Sequence, residues 1–218
     1  MKNIKIISMT VFILFILFEA TVYFYETNES NNIKGISSKS DNIFQREYSI
    51  SFGENEKNIT VVEFIDPECY PCKQFYPMIN EMYDKYNKDI TLVIKYLPNH
   101  RNSEEIIKIL EASRFQNKYK EVLAVIFDKQ DLWSAFNHEN PNLKWNFLKV
   151  IKDLDIQKLK TDMNKTEIQN IIDQDNMDAR VLGIRGTPAV FVNGKRLAVL
   201  SLNELMSLVK NEINNKIK

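Results

Sequence analysis

Ile59-Thr60-Val61-Val62-Glu63-Phe64-Ile65, then Asp66-Pro67-Glu68, then Cys69-Tyr70-Pro71-Cys72, is the stretch on which the fold turns. Its first seven residues are too continuously apolar for a surface strand and read as a central one. From Pro71 onward Phe75, Met78, Ile79, Met82 and Tyr86 recur at helical spacing. The cysteines therefore stand where a strand's carboxyl end turns into a helix, and they are the only two in the chain. A disulfide framework needs several pairs, and a structural zinc site normally needs four ligands. A lone C-x-x-C pair closes a tiny loop, which suits making and breaking a disulfide better than holding a fold together. The pattern implies redox chemistry.

Working outward, Asp89 to Tyr96 is a further strand, completing a β-α-β unit with the cysteines at the end of its first strand. Upstream, Glu47 to Phe52 alternates with Tyr48, Ile50 and Phe52 on one face, before a turn from Gly53 to Asn58. Downstream the pattern is helical. Asn102 with Glu105 reads as a capping box leading into Ile106, Ile107, Leu110 and Phe115. Helical pieces follow over Tyr119 to Lys129, over Leu143 to Leu154, and from about Thr166 with Ile168, Ile171, Ile172, Ala179 and Leu182 on one face. Pro188 to Val192 and Arg196 to Val199 flank Asn193-Gly194, a strong hairpin signal. Ser201 with Glu204 is a second capping box, opening a last helix through Leu205, Met206, Val209 and Ile213. This order predicts an α/β domain over 47–218, a central mixed sheet with a helical insertion at about 100–180.

The first 25 residues differ. Lys2 and Lys5 precede an apolar run from Ile6 to Phe18, which Glu19 interrupts and Ala20 to Tyr25 weakly resumes. That reads as an N-terminal hydrophobic helix: a signal anchor, or a signal peptide if it is cleaved, with the remainder exported. Residues 26–46 are polar and patternless, and read as a linker. Export would put the cysteine pair where disulfides persist. Lys+Arg and Asp+Glu are both 29 in 218 residues, a balance that argues against nucleic acid as a partner.

The strand leading into Cys69-Tyr70-Pro71-Cys72, the later Gly183-Ile184-Arg185-Gly186-Thr187-Pro188-Ala189-Val190-Phe191-Val192-Asn193-Gly194, and the helical block between them together resemble the thioredoxin superfamily, and within it the DsbA-like thiol–disulfide oxidoreductases. The likeness covers roughly residues 47–217. It departs from the best-known member between the cysteines, where Tyr-Pro replaces Pro-His. The resemblance implies that Thr187-Pro188 is a cis-proline turn packed beside Cys69, with the Thr187 backbone pairing an extended substrate segment. Without it, Gly186-Thr187-Pro188 is an ordinary start to a strand.

Cys69 is the expected nucleophile, because free N–H groups and the dipole of a helix start favour a thiolate. Cys72, one turn on, is the expected resolving thiol. Tyr70 and Pro71 between them are expected to shape substrate contact and redox poise. Glu63, a carboxylate in an apolar strand, needs a task or a partner. The resemblance implies that it moves the proton of the resolving cysteine; the alternative is a solvent-facing strand-edge residue or a pair with Lys95. His100 and His138 match no metal spacing with the cysteines, so no metal and no cofactor are expected. The partners implied are cysteine-containing exported proteins and a membrane redox partner. Net oxidation is the primary expectation, a membrane-tethered reductase or isomerase the next, and a non-catalytic chaperone or binding module the rival from another class.

Overall fold

Among the described residues five strands form one mixed sheet in the order β1-β3-β2-β4-β5. They are β1 (Ile50–Phe52), β2 (Ile59–Ile65), β3 (Ile90–Tyr96), β4 (Ala189–Val192) and β5 (Lys195–Arg196). The computed structural model describes residues 42–134 and 142–217, so the expected N-terminal hydrophobic helix, residues 26–41 of the linker, and His138 lie outside the described residues. β2 and β3 run parallel, from Ile59 opposite Ile90 to Ile65 opposite Tyr96. β4 lies antiparallel on the other side of β2, and β1 antiparallel on β3. β2 is thus central, as its unbroken apolar run requires.

Helix α1 (Tyr70–Tyr86) crosses from β2 to β3. The insertion then supplies α2 (Ser103–Arg114), α3 (Tyr119–Asp128), α4 (Gln130–Trp133), α5 (Leu143–Leu148), α6 (Ile156–Asp162) and α7 (Thr166–Val181), and the final helix is α8 (Leu202–Ile217). Because strand side chains alternate, the sheet makes two cores. Val61, Ile65 and Ile94 pack with Cys72, Phe75, Ile79, Leu205 and the insertion. Val62, Phe64, Val93 and Phe191 pack with Ala179 and Ile184.

Several sequence expectations need correction. The folded unit begins at Ile43, slightly before the expected boundary at 47. Phe44 packs on Phe191 with ring centroids 5.2 Å apart. Arg46 donates twice to Asp178, at 2.8 and 2.6 Å. Their polar neighbours hid both anchors. Asn102 does not cap α2: its amide N–H and its side chain donate instead to Glu68, at 2.7 and 3.0 Å. The helix expected through Leu154 stops at Leu148, and α6 starts afresh with Asp155 accepting from the amides of Gln157 and Lys158. Between them Asp153 adopts a φ of 60°, which no helix continues through. The second hairpin strand ends at Arg196, because the amides of Ala198 and Val199 bond the Glu204 carboxylate at 2.8 and 2.9 Å rather than extending the ladder. The turn itself is as expected, with positive φ at both Asn193 and Gly194.

Candidate active site

Cys69 is the N-cap of α1, in extended backbone conformation, and its carbonyl accepts the first helical bond, from the Lys73 amide at 3.2 Å. Tyr70 and Pro71 form the first turn on the surface, with Tyr70 56% exposed. Pro71 sits where an N–H would have no helical partner, a position proline tolerates. Cys69 and Cys72 are both free thiols and both buried, Cys72 the deeper. Across from them the Thr187–Pro188 peptide is cis. The Cys69 thiol donates to the Thr187 carbonyl at 3.2 Å, and the Asp66 amide donates to the Cys72 sulfur at 3.5 Å. The fold thus gathers Cys69, Cys72, Thr187 and the buried Pro188 from segments more than a hundred residues apart, with Tyr70 and Pro71 on the exposed flank.

Hydrogen bonding from the Cys72 thiol, helped by Thr187 and the Cys72 amide, pulls the Cys69 thiol down to about 6, against burial and the Asp66 charge. Burial, then Cys69 itself and the charge of Glu63, push Cys72 far above the usual thiol range. At neutral pH the reduced pair is therefore a thiolate at Cys69 beside a protonated Cys72. Among the described residues nothing bonds the buried Thr187 hydroxyl in the dithiol state, and hydrogen bonding by Thr187 favours the Cys69 thiolate.

Glu63 is buried, at 3% exposure. Register decides its partners: Phe64 lies opposite Lys95, so Lys95 points to the same face as Phe64 and away from Glu63. Lys95 is bound there by Asp175 and Asp178, at 2.9 and 2.5 Å. The solvent-facing and Lys95-paired alternatives for Glu63 are both overturned. Burial raises its carboxyl to about 8. It borders a cavity of about 170 Å³, lined also by Tyr76, Asn80, Asp84, Lys120 and Phe127.

Sequence reasoning missed a cluster under the cysteine turn. Asp66 is fully buried, and its carboxylate accepts from the amides of Glu68 and Asn99, at 2.9 and 2.7 Å, and from the Ser103 hydroxyl. It also meets His100 Nδ1 at 2.7 Å. Gln130 donates to the carbonyls of Pro67 and Cys69 at 2.8 and 3.1 Å, fixing the turn from the insertion side. The only available signal was an acidic pair flanking Pro67. Its partners lie on later elements that only the folded chain brings near.

A strand, a dithiol at a helix start and a facing cis-proline define a thioredoxin fold with a redox-competent pair. A family model described as Thioredoxin matches residues 45–211. The chain belongs to the thioredoxin family, and its fold, with a helical insertion, is like that of solved DsbA structures. Alpha-DsbA1 from Wolbachia pipientis superposes with a TM-score of 0.68 at 17% identity, covering 80% of this chain and 95% of that one. The probable disulfide bond formation protein D of Bacillus cereus is 24% identical over 173 residues, 72% of this chain and 75% of that protein. The Na(+)/H(+) antiporter NhaA 1 of Mycolicibacterium gilvum is 25% identical over 152 residues, 66% of this chain. The chain spans only 23% of that antiporter's length.

Proposed function

We propose that the chain is a protein-disulfide oxidoreductase that oxidises cysteine pairs in exported proteins. The observation that carries this reading is the Cys69 thiol, drawn down to about 6 and hydrogen-bonded to the Thr187 carbonyl beside Pro188. At pH 7 a thiol drawn from 9.0 to about 6 gains ionisation over the interval from 6 to 7, worth about 1.4 kcal/mol. That stabilises the dithiol and makes the disulfide more oxidising by about 30 mV.

In the proposed cycle a substrate thiolate attacks Cys69 of the Cys69–Cys72 disulfide. The S–S bond breaks and Cys72 leaves with the electron pair and takes a proton. A second substrate thiolate then attacks the substrate sulfur of the mixed disulfide and expels Cys69 as a thiolate. The substrate gains a disulfide, and two electrons stay on the protein. A membrane electron acceptor takes those two electrons, with the accompanying protons, and restores the Cys69–Cys72 bond. Glu63, held near neutrality and beside a cavity, exchanges the Cys72 proton. Tyr70 and the Thr187 backbone contact the substrate segment. The apolar run Ile6 to Phe18 after Lys2 and Lys5 supports export and anchoring of the domain.

The test is the reduction potential together with thiol oxidation of a model dithiol peptide by the wild type and Cys69→Ser. A potential well above thioredoxin's, about −270 mV, with activity lost in the variant, supports oxidation. A potential near that value reassigns the protein as a reductant, and activity surviving Cys69→Ser overturns the enzyme reading.

A further inference from the structure

The segment between its cysteines, Tyr70-Pro71, carries no cationic side chain, yet Cys69 must be held as a thiolate beside the buried negative charge of Asp66. Asp66 lies close enough to the dithiol for its amide to bond the Cys72 sulfur, and its charge opposes ionisation of Cys69. Lys73, on the first turn of α1, is bound to Asp131. His100, on the loop between β3 and α2, meets the Asp66 carboxylate through Nδ1 at 2.7 Å. The loop is fixed there twice over, by the Asn99 amide on Asp66 and by the His100 amide on the Ser103 hydroxyl at 3.3 Å. The His100 ring is nonetheless 44% exposed, so it can trade protons with solvent.

We infer that His100 is a positioning residue for the redox reaction: its imidazolium, seated on Asp66, offsets that carboxylate and supplies from outside the C-x-x-C segment the positive charge that favours the Cys69 thiolate. The inference rests on the reading of Cys69 as the activated nucleophile. The groups facing His100 fit it. From the turn between β2 and α1 these are Asp66, Glu68 and Cys69, all of which act on it as negative charges. From the first turn of α2 it is the neutral Ser103. The neighbouring Arg101 is exposed. Partial burial lowers the His100 pKa, but hydrogen bonding and charge from Asp66, with Cys69 and Glu68 behind it, more than offset that, and the net shift is upward. Coupling of this kind is reciprocal: if His100⁺ favours the thiolate, the thiolate favours His100⁺ to the same degree. Formation of the Cys69–Cys72 disulfide removes the thiolate and must lower the His100 pKa.

Two measurements on the full chain in non-ionic detergent decide this. The first is thiolate absorbance at 240 nm against pH for the wild type and His100→Gln, whose amide can still donate to Asp66 but carries no charge. Because the ring is partly exposed and screened, the expected rise in the Cys69 midpoint is about half a unit, roughly a twofold loss of thiolate at pH 6. The difference should shrink in 1 M salt. The second is the NMR titration of the His100 Cε1–H, assigned by its loss in the variant, in reduced and oxidised wild-type protein. A lower midpoint in the oxidised protein is expected, and hydrogen bonding alone would not produce it. Midpoints near 6 in both proteins, or a His100 titration indifferent to redox state, overturn the role of His100 and leave Cys69 as the nucleophile. Midpoints near 8.5 in both overturn the reading of Cys69 itself. Should His100→Gln fail to fold, the redox-linked titration of the wild type decides alone.

Discussion

Glu63→Gln isolates the buried acid of β2 from its titration. Glu63 is buried, and burial raises its carboxyl from 4.5 to about 8. In the unfolded chain the same group ionises near its ordinary value, so between these limits folding takes up close to one proton. The sign follows from the raised folded-state value. Stability is fully present below about 4.5 and is lost as pH rises toward 8, by roughly 1.4 kcal/mol per pH unit. At pH 7 that amounts to about 3 kcal/mol, a large share of the 5–15 kcal/mol typical of a domain. Glutamine has the shape and polarity of the protonated acid without the titration. Urea unfolding of the full chain in non-ionic detergent, in the disulfide state so that the thiols do not titrate, should find the two proteins equal near pH 4. The variant should then be the more stable by about 3 kcal/mol at pH 7. Thiol exchange should move the opposite way, slowed because the Cys72 proton has lost its acceptor. Unfolding free energies that run parallel from pH 4.5 to 8 would refute the account of Glu63 as a buried, unpaired acid.

Cys72→Ser leaves Cys69 able to attack a disulfide but removes the thiol that resolves the product, so with a disulfide-linked peptide dimer, one peptide leaving as its thiol, a persistent mixed disulfide should appear on a non-reducing gel, absent with Cys69→Ser. Thr187→Val removes the buried unpartnered hydroxyl. It should stabilise the reduced protein by about 1 kcal/mol at pH 5, where Cys69 is protonated, and raise the Cys69 midpoint in a thiolate absorbance titration. Lys95→Met strips the buried Asp175 and Asp178 of their shared cation and leaves Arg46 as the remaining one on Asp178. A loss of about 3–5 kcal/mol is expected in denaturant unfolding at pH 7, easing in acid as the carboxylates protonate.

The strand before Cys69, the helix after it and the Asn193-Gly194 hairpin were legible because each rests on a local pattern that packing then confirmed. Local rules failed where a distant side chain competed for the same groups. Asn102 has the composition of a helix cap, but Glu68 offers its donors a carboxylate, and the cap is given up. The role of Asp66 was illegible for a similar reason: its neighbours in sequence say nothing of Asn99, His100 and Ser103, which reach it only once β3 lies parallel to β2.

Lys95 and Glu63 carry this point into function. Sequence allowed them to pair, since both sit in strands that a β-α-β unit makes neighbours. The register puts Lys95 opposite Phe64, with its amine 5.7 Å from that ring, and so sends the lysine to the other core. One residue of slip would bring the cation to the acid's face of the sheet. A paired Glu63 would be a permanently ionised carboxylate, stable and of no use for accepting or returning a proton near neutral pH. Unpaired among the described residues, it is held near 8 and shares a cavity with Tyr76 and Ile79 of the helix that carries Cys72. The sheet thus sorts its buried ionisable groups by face: Lys95, paired with Asp175 and Asp178, holds α7 to β3, and Glu63 stands on the other face, raised to about 8, as the proposed proton exchange with Cys72 requires.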